Sequence, residues 1–317
     1  MNVLPTAIKE FIGHCRFEKN LSLKTIKAYE IDLKQLLEFL LKRNYSIEVN
    51  KITKIELREY LEFISSLKPK SIKRKVATIK VLFNYLEFED VVIINPMRKM
   101  RINIKEPKTL PRVLNIKQMS DIFKSAYEKK NTDEKNYSYF EAIRNIVVVE
   151  LLFATGARVS ELANLPDDFI NVSSGEITIK GKGNKERIIQ VCNKETIEIL
   201  KHYRKEFRDK IKASGGYFLL NRLNKKLSDQ SIRNIVKILS ERACVQMHVT
   251  PHVFRHSFAT LLLEQDVDIK YIQSLLGHSS IITTQIYTHV NREKQKQILK
   301  AKHPRKDFST HSFQYPE

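Results

Sequence analysis

Cysteine is scarce in this sequence. The 317 residues include three cysteines, Cys15, Cys192 and Cys244, which are odd in number and widely spaced. They match neither the disulfide framework of a small secreted domain nor the closely paired cysteines of a zinc site. We therefore expect them to be ordinary small apolar residues of a protein in a reducing compartment, the cytoplasm.

Long apolar runs are also absent from the sequence. A helix needs about 20 consecutive apolar residues to cross a bilayer, and a signal peptide needs an apolar stretch near the first methionine. Neither pattern occurs, so we expect no membrane span, no membrane partner and no signal peptide. Hydrophobic residues still make up 42% of the chain, which is enough for ordinary cores and argues against global disorder.

Positive charge, by contrast, is abundant. The chain has 56 lysines and arginines against 36 acidic residues, a formal net charge of +20. Residues 1–102 carry 20 basic and 12 acidic side chains, so the excess is shared between both parts of the chain. A polyanion that contacts both parts, most naturally nucleic acid, is the expected partner. Charge alone leaves open a generally cationic protein without such a partner.

Helical periodicity dominates residues 6–102. Apolar residues recur at helical spacing, and Thr53 with Glu56 forms a capping-box pattern before one of the helices. The last helix of this part has an apolar face opposite a cationic one. The cations of that face are Lys70, Lys73, Arg74 and Lys80. A solvated charged face is the usual reason for such lysines, but the lack of interleaved acids favours contact with DNA phosphates.

The rest of the chain predicts a second domain with a little β-structure. Residues 103–112 are rich in proline and cations and indicate a linker between a helical domain (1–102) and a domain over 113–305, followed by a tail (306–317). The alternation on both sides of GKGN indicates a β-hairpin, with Ile177, Ile179, Ile188 and Val191 as its apolar positions. The predicted fold is therefore mainly α with a small β-hairpin or sheet.

An arginine stands at an unusual place in TGARVSEL. Arg158 follows Gly156 at a turn into a helix, where the dipole normally favours acidic residues. A bound anion is one reason for this, because a guanidinium and free backbone N–H groups can share a phosphate. A surface pair with Glu161, one turn along, is an equally good explanation for the arginine alone.

The stretch TPHVFRHS holds two histidines and an arginine. His252 and Arg255 are three residues apart and share a helix face. His256 comes four residues after His252, which raises the alternative of a zinc site. The glutamate that follows the first histidine in HExxH is missing, since Val253 stands there. We therefore favour phosphate binding and expect no metal.

Three further candidate catalytic residues lie in polar stretches of the sequence. Lys182 lies at the tip of the predicted hairpin, and GHSSIITTQIYTH holds His278 and Tyr287, nine residues apart. Two guanidiniums can stabilise the charge on a phosphodiester in its transition state without a metal ion. A tyrosine hydroxyl, whose pKa is about 10 when free, can attack phosphorus if a histidine helps to remove its proton. A lysine or histidine can protonate the leaving oxygen.

These motifs resemble the tyrosine recombinases, the family of phage integrases, Cre and the bacterial Xer recombinases. The family carries Arg, Lys, His-x-x-Arg, His and Tyr in this order. The matching residues are Arg158, Lys182, His252, Arg255, His278 and Tyr287. The flanking stretches GKGNKERIIQV, GHSSIITTQIYTHV and AKHPR are similar to the Xer branch in particular. The motifs cover roughly residues 150–290, and the first domain fits the family by length and helical character.

The resemblance implies a fold, a reaction and partners. The fold would be a helical core-binding (SAM-like) domain plus an α+β catalytic domain, closing as a C-shaped clamp around DNA. Tyr287 would attack the scissile phosphate to give a 3′-phosphotyrosyl link and a free 5′-hydroxyl. Arg158, Arg255 and His278 would stabilise the phosphorane, with Lys182 as general acid and His252 assisting proton transfer. The link conserves the phosphodiester energy, so no ATP or other cofactor is expected.

The expected partners are a double-stranded recombination site and three further protomers, of this chain or of a second recombinase. Strand exchange would pass through a Holliday junction, with a tail residue such as Leu299 docked on a neighbouring protomer and with a translocase or DNA-bending factor as a possible regulator. A nucleoid location follows. Dimer resolution and mobile-element integration both remain open as the biological role. The alternatives are a non-catalytic DNA-binding protein on the same fold, and an enzyme that relaxes DNA like a type IB topoisomerase.

Overall fold

The structure is a computed structural model that describes residues 3–105, 112–128, 137–181, 185–277 and 292–308. The chain forms two compact units, Met1–Thr109 and Leu110–Glu317, called here the first and the second unit. Residues 103–112, assigned above to a linker, span the junction of the two. Each unit has its own hydrophobic core.

The first unit is helical. Its described helices are α1 (Leu4–Phe17), α2 (Leu23–Lys42), α3 (Lys54–Phe63) and α4 (Pro69–Phe88). The predicted capping box is present: Ile55 N–H donates to the Thr53 hydroxyl at 3.1 Å, and Thr53 N–H donates to the Glu56 carboxylate at 2.7 Å. The apolar faces of the helices meet in one core, in which Leu33 and Leu82 are fully buried.

The second unit combines helices with a small sheet. Its described helices are α5 (Ile116–Glu128), α6 (Tyr137–Thr155), α7 (Val159–Ala163), α8 (Lys194–Glu206), α9 (Arg208–Ala213), α10 (Asp229–Arg242), α11 (Pro251–Glu264), α12 (Ile269–Leu276) and α13 (Arg292–Lys302). The strands are β1 (Ile170–Asn171), β2 (Glu176–Lys180) and β3 (Glu186–Gln190). A mainly helical fold with a small sheet, as predicted, is thus confirmed.

The sheet is antiparallel in the order β1-β2-β3, and β2 and β3 form the predicted hairpin. Ile177 faces Ile189 across the hairpin, and both are buried. Ile188, one of the four apolar positions of the predicted hairpin, is only half-buried, and the buried isoleucine of β3 is Ile189. Side chains alternate along a strand, so counting back by two from the buried Val191 leads to Ile189 and then to Arg187.

Gly156 ends α6, as the sequence predicted. Its φ of +57° is in the left-handed region that favours glycine, and its N–H donates to the carbonyl of Leu152 at 3.0 Å. A Cβ at this position would lie 2.7 Å from Cδ1 of Phe258 and 2.9 Å from Cδ2 of Leu276. Close packing from α11 and α12 therefore requires glycine here, and it brings three helices together at one point.

A buried ionic cluster anchors the residues that follow α13. Arg305 is buried and donates through Nη2 to Glu150 at 2.8 Å and to Glu195 at 2.8 Å. Its guanidinium also lies 4.9 Å from the ring centroid of Phe123 and 4.7 Å from that of Phe308. Burial alone would lower the pKa of Arg305, but the adjacent Glu150 carboxylate raises it above its usual value.

Leu299 of α13 was expected to dock on a neighbouring protomer. In this structure it is buried in the core of its own unit, with Ile298 packed beside it.

The three cysteines carry free thiols. None of the described helices is both long enough and apolar enough to cross a membrane.

Candidate active site

Arg158 lies in the turn between α6 and α7, paired with a carboxylate. Its N–H donates to Oε2 of Glu161 at 2.8 Å, and its Nη1 donates to Oε1 of the same residue at 2.7 Å. The pair considered from the sequence therefore exists, but Glu161 is buried rather than on the surface. The Arg158 side chain is 41% exposed, so a phosphate can still reach it. Since α7 has only five residues, anion binding here would depend on the guanidinium and not on a helix dipole.

Arg255 is buried beneath this turn. Thr250 caps α11 through a hydrogen bond from Val253 N–H, and Pro251 occupies the first turn. This start places Arg255 where Nη1 donates to the Gly156 carbonyl at 2.7 Å and Nη2 donates to the Leu276 carbonyl at 2.6 Å. Two of the five guanidinium N–H groups make these bonds, which fixes the plane in which the others can bind a phosphate.

The charge of Arg255 is held in a strongly cationic environment. Burial first, and then the positive charges of Arg158 and Arg187, lower the pKa of Arg255 to about 10, while Glu161 opposes this shift. The guanidinium is still protonated near neutral pH. A group of cations that repel one another this closely is stabilised when an anion binds between them, as expected for a phosphate site.

Three arginines converge on the C-terminal end of α12. The carbonyl of Leu275 accepts from Nε of Arg187 at 2.8 Å, that of Leu276 accepts from Arg255, and that of Gly277 accepts from Nη2 of Arg158 at 3.4 Å. The last carbonyls of a helix have no partner within the helix, and cations are favourable at this end. Three side chains from distant parts of the sequence thus fix the residue directly before His278.

Sequence reasoning missed Arg187. It lies on β3, and its Nη1 and Nη2 donate to Glu161 at 3.2 and 2.7 Å. The sequence pattern that could have identified Arg187 is the strand alternation. Arg187, Ile189 and Val191 are spaced two residues apart, so the arginine is on the buried face of the strand and needs a buried partner. The alternation read from the sequence used Ile188 instead of Ile189, which concealed this.

His252 and His256 lie on the first turns of α11. His252 is exposed and His256 is half-buried, so His252 is the more accessible to a substrate. Within the described residues no group of three or more His, Cys, Asp or Glu side chains is arranged to hold a metal ion.

The remaining predicted catalytic residues, Lys182, His278 and Tyr287, lie outside the described residues. The structure describes what adjoins two of them. Gly181, directly before Lys182 in the sequence, donates its N–H to the Lys185 carbonyl at 2.8 Å. Gly277 immediately precedes His278.

The cations predicted to bind DNA in the first unit are all exposed on α4. They are Lys70, Lys73, Arg74 and Lys80. Arg74 also has a structural role, because its Nη1 forms an ion pair with the buried carboxylate of Asp32. Lys75, which the sequence pattern did not mark, is buried and donates to Asp32 at 3.1 Å. Asp32 thus holds both Arg74 and Lys75 of α4.

Comparison with known proteins identifies the family. The model of the phage integrase family matches residues 112–294, and that of the phage integrase N-terminal SAM-like domain matches residues 8–90. A tyrosine recombinase of Agathobacter rectalis is 44% identical over 97% of this chain and 99% of that protein. The tyrosine recombinase XerD of Listeria monocytogenes is 33% identical over 94% of this chain and 98% of its own length.

Solved structures agree with this fold. XerH recombinase bound to a palindromic difH substrate, in a post-cleavage complex, matches 92% of this chain and 82% of that chain with a TM-score of 0.69 and 23% identity. A lambda integrase tetramer bound to a Holliday junction matches 88% of this chain and 78% of that chain with a TM-score of 0.66 and 18% identity. These two likenesses concern the fold.

The chain belongs to the phage integrase family. Within that family it is a tyrosine recombinase, the name that its curated relatives carry. Such an enzyme breaks and rejoins DNA strands. The resemblance stated from the sequence and the enzyme class that it implied are confirmed.

Proposed function

We propose that this recombinase cuts and rejoins DNA at a specific site through a covalent link between Tyr287 and a 3′-phosphate. One observation carries the proposal: the guanidiniums of Arg158 and Arg255 bind the consecutive carbonyls of Gly277 and Leu276, directly before His278. A phosphate bound by both arginines would therefore lie beside the segment that leads to His278 and Tyr287. Fixed cations at the reacting phosphate are a strong source of transition-state stabilisation.

The proposed step balances as follows. The Tyr287 hydroxyl gives up its proton with the help of His252, and its oxygen forms a bond to phosphorus. The bond from phosphorus to the 5′-oxygen breaks, and Lys182 donates a proton to that oxygen. Arg158, Arg255 and His278 hold the negative oxygens of the phosphorane. Attack by the 5′-hydroxyl of another strand reverses these events and frees Tyr287, so the reaction needs no ATP.

The proposed substrate is double-stranded DNA, which the net charge of +20 and the exposed lysines of α4 support. We propose that four protomers, of this chain or with a second recombinase, act on two sites through a Holliday junction in the nucleoid.

The biological role would be Xer-like resolution of chromosome or plasmid dimers, or the integration of a mobile element. The genes beside this one distinguish the two, because an element carries its own ends and an excisionase gene. A translocase or DNA-bending protein would regulate either role.

The test uses DNA recovered with the full chain, on which the cleavage position is mapped. A nicked version of that site traps the covalent intermediate, because the short strand beyond the cut diffuses away. The wild type should form a covalent complex in EDTA at the same rate as in magnesium, and Tyr287→Phe should form none. A covalent complex with Tyr287→Phe would refute the assignment of the nucleophile. Relaxation of supercoiled DNA without strand exchange between two sites would instead indicate a topoisomerase-like enzyme.

A further inference from the structure

We propose that Arg187 is a positioning residue for DNA cleavage. It joins three elements, each of which carries or directly precedes a candidate catalytic residue. It lies on β3 of the hairpin that holds Lys182, binds the turn that holds Arg158, and binds the end of α12 that precedes His278. This inference rests on the proposed roles of those residues and of Tyr287. It adds a residue that does not itself touch the phosphate.

The contacts of Arg187 use its guanidinium on two sides. Nε donates to the Leu275 carbonyl at 2.8 Å, while Nη1 and Nη2 donate to the two oxygens of Glu161 at 3.2 and 2.7 Å. The side chain is only 12% exposed. A planar group with donors along two edges can hold a carboxylate and a carbonyl at a fixed angle, which a lysine ammonium cannot do.

Arg187 also packs against the backbone just before His278. Gly277 has a φ of +63°, and a Cβ built on it would lie 3.2 Å from Nη1 and 3.3 Å from Cδ of Arg187. The arginine therefore contacts the Cα side of Gly277 while it binds the carbonyl two residues earlier. This contact therefore constrains the backbone at Gly277, the last described residue before His278.

The link to Arg158 runs through Glu161. Oε1 of this carboxylate accepts from Nη1 of both arginines, and Oε2 accepts from the Arg158 N–H and from Nη2 of Arg187. Burial would raise the pKa of Glu161, but the hydrogen bonds from Arg187 and Arg158 lower it on balance, so the group is ionised. Without Arg187, the whole charge of Glu161 would act on Arg158 and hold its guanidinium away from a phosphate.

The experiment measures single-turnover cleavage of the nicked site, DNA affinity and the melting temperature of the full chain. Arg187→Ala should cleave at least about 100-fold more slowly, with a DNA dissociation constant within about two-fold of the wild type, since small displacements at a reaction centre cost about this much in rate. Arg187→Lys should recover less than a tenth of the lost rate. If the Arg187→Ala variant does not fold, the Arg187→Gln variant is measured in its place.

Arg204 provides a matched control in the same unit. Its Nε donates to Oδ1 of Asp167 at 2.7 Å, and its Nη2 donates to the carbonyls of Asp167 and Ile170 at 2.8 and 2.7 Å. It is thus a partly buried arginine that binds one carboxylate and two carbonyls, but none of its partners belongs to the candidate site. Arg204→Ala should lower the melting temperature and leave the cleavage rate unchanged below it.

A double variant tests the route of the effect. If Arg187 acts by positioning Arg158, then Arg187→Ala should slow cleavage by less than about 10-fold when Arg158→Lys is already present, because groups that act together are not additive. Losses that multiply would show that Arg187 acts through the end of α12 and the hairpin and not through Arg158. The inference is overturned if Arg187→Ala cleaves like Arg204→Ala or if its main defect is in DNA affinity. If either of these results is obtained while Tyr287→Phe forms no covalent complex, the role of Arg187 is refuted but the proposed function is not. A covalent complex with Tyr287→Phe would refute the proposed function itself.

Discussion

Nη2 of Arg255 lies 2.6 Å from the carbonyl oxygen of Leu276. This contact joins the helix that carries His252 to the residue two positions before His278. The neighbouring carbonyls of Leu275 and Gly277 bind Arg187 and Arg158. The C-terminal end of α12 is thus held by three cations. A negatively charged group that binds these arginines, such as a phosphate, would meet guanidiniums that are already oriented.

Arg255→Lys tests how far this contact depends on the shape of the guanidinium. An ammonium cannot bind the Gly156 and Leu276 carbonyls and a phosphate with the same geometry, so cleavage of the nicked site should fall about 100-fold or more. The surroundings that lower the pKa of Arg255 to about 10, namely burial and then Arg158 and Arg187, should also lower the pKa of the lysine. A base with a lowered pKa loses its charge at a lower pH.

The variant should therefore lose its remaining activity as the pH is raised through a range in which the wild type stays active. Single-turnover rates between pH 6 and pH 9, with DNA affinity measured in parallel, check this. A rate profile parallel to that of the wild type would show that the buried environment does not act on the side chain at this position.

The sequence predicted those parts of the fold that depend on local signals. The capping box of Thr53 and Glu56 and the helix end at Gly156 are interactions within a few residues, so their patterns can be seen directly. The hairpin was found for the same reason. The alternation was read with Ile188 in place of the buried Ile189, because two adjacent isoleucines both fit an apolar position and only packing against the core decides between them.

The candidate site was less accessible to sequence reasoning. Arg158 was singled out because an arginine at a helix start is unusual, and Arg255 because it shares a helix face with His252. Their acceptors, however, include the backbone carbonyls of Gly156, Leu276 and Gly277, which have no signature in the sequence. Glu161 was considered only as a surface partner for one arginine. Its position between Arg158 and Arg187 depends on a strand and a helix that meet only in the folded chain. The catalytic roles proposed for all six candidates stay predictions: they are Arg158, Lys182, His252, Arg255, His278 and Tyr287.

The lysines of α4 are expected to contact DNA phosphates. Each phosphate contact releases counterions and steepens the salt dependence of binding by about 0.9 in a plot of log affinity against log salt. Replacement of Lys70, Lys73 and Lys80 by glutamine should therefore reduce the slope by about 3. Arg74 is kept because its ion pair with Asp32 holds the helix.

The matched control removes the same charge from the second unit. Lys201, Lys205 and Lys212 are exposed on α8 and α9. Their replacement by glutamine should change the slope by less than 1. Equal effects of the two triple variants would mean that overall charge, and not contact through α4, governs the affinity.

Arg305→Met should strongly destabilise the second unit. It removes the cation that pairs with the buried Glu150 carboxylate, a change that costs about 3–5 kcal/mol in comparable buried pairs. For a unit of this size the melting temperature should fall by about 10 °C, measured by circular dichroism. Adding Glu150→Gln should restore part of the loss, because it removes the unpaired charge.

Lys306→Met is the control, since the neighbouring Lys306 is exposed and its loss should shift the melting temperature by less than about 2 °C. Similar losses for Arg305→Met and Lys306→Met would contradict the importance of the buried cluster.

His303 makes the stability of the second unit depend on pH. Its Nδ1 accepts a hydrogen bond from the Arg305 N–H at 3.0 Å, which requires this nitrogen to be unprotonated. Although the residue as a whole is half-buried, Nε2 is shielded from solvent. Burial is the main cause that lowers the pKa of His303 to about 4, from the usual value of about 6.5.

Between these two values the unfolded chain binds a proton at position 303 that the folded chain excludes, so stability falls as the pH falls below about 6.5. The loss between pH 7 and pH 5 should be about 2 kcal/mol. His303→Asn retains a side-chain acceptor for the Arg305 N–H but does not titrate, so this part of the loss should disappear. Urea denaturation followed by circular dichroism measures the difference, since the chain has no tryptophan for fluorescence. Other titrating groups contribute equally to both proteins, and an equal decrease in both would show that His303 is protonated as easily in the folded chain as in the unfolded one.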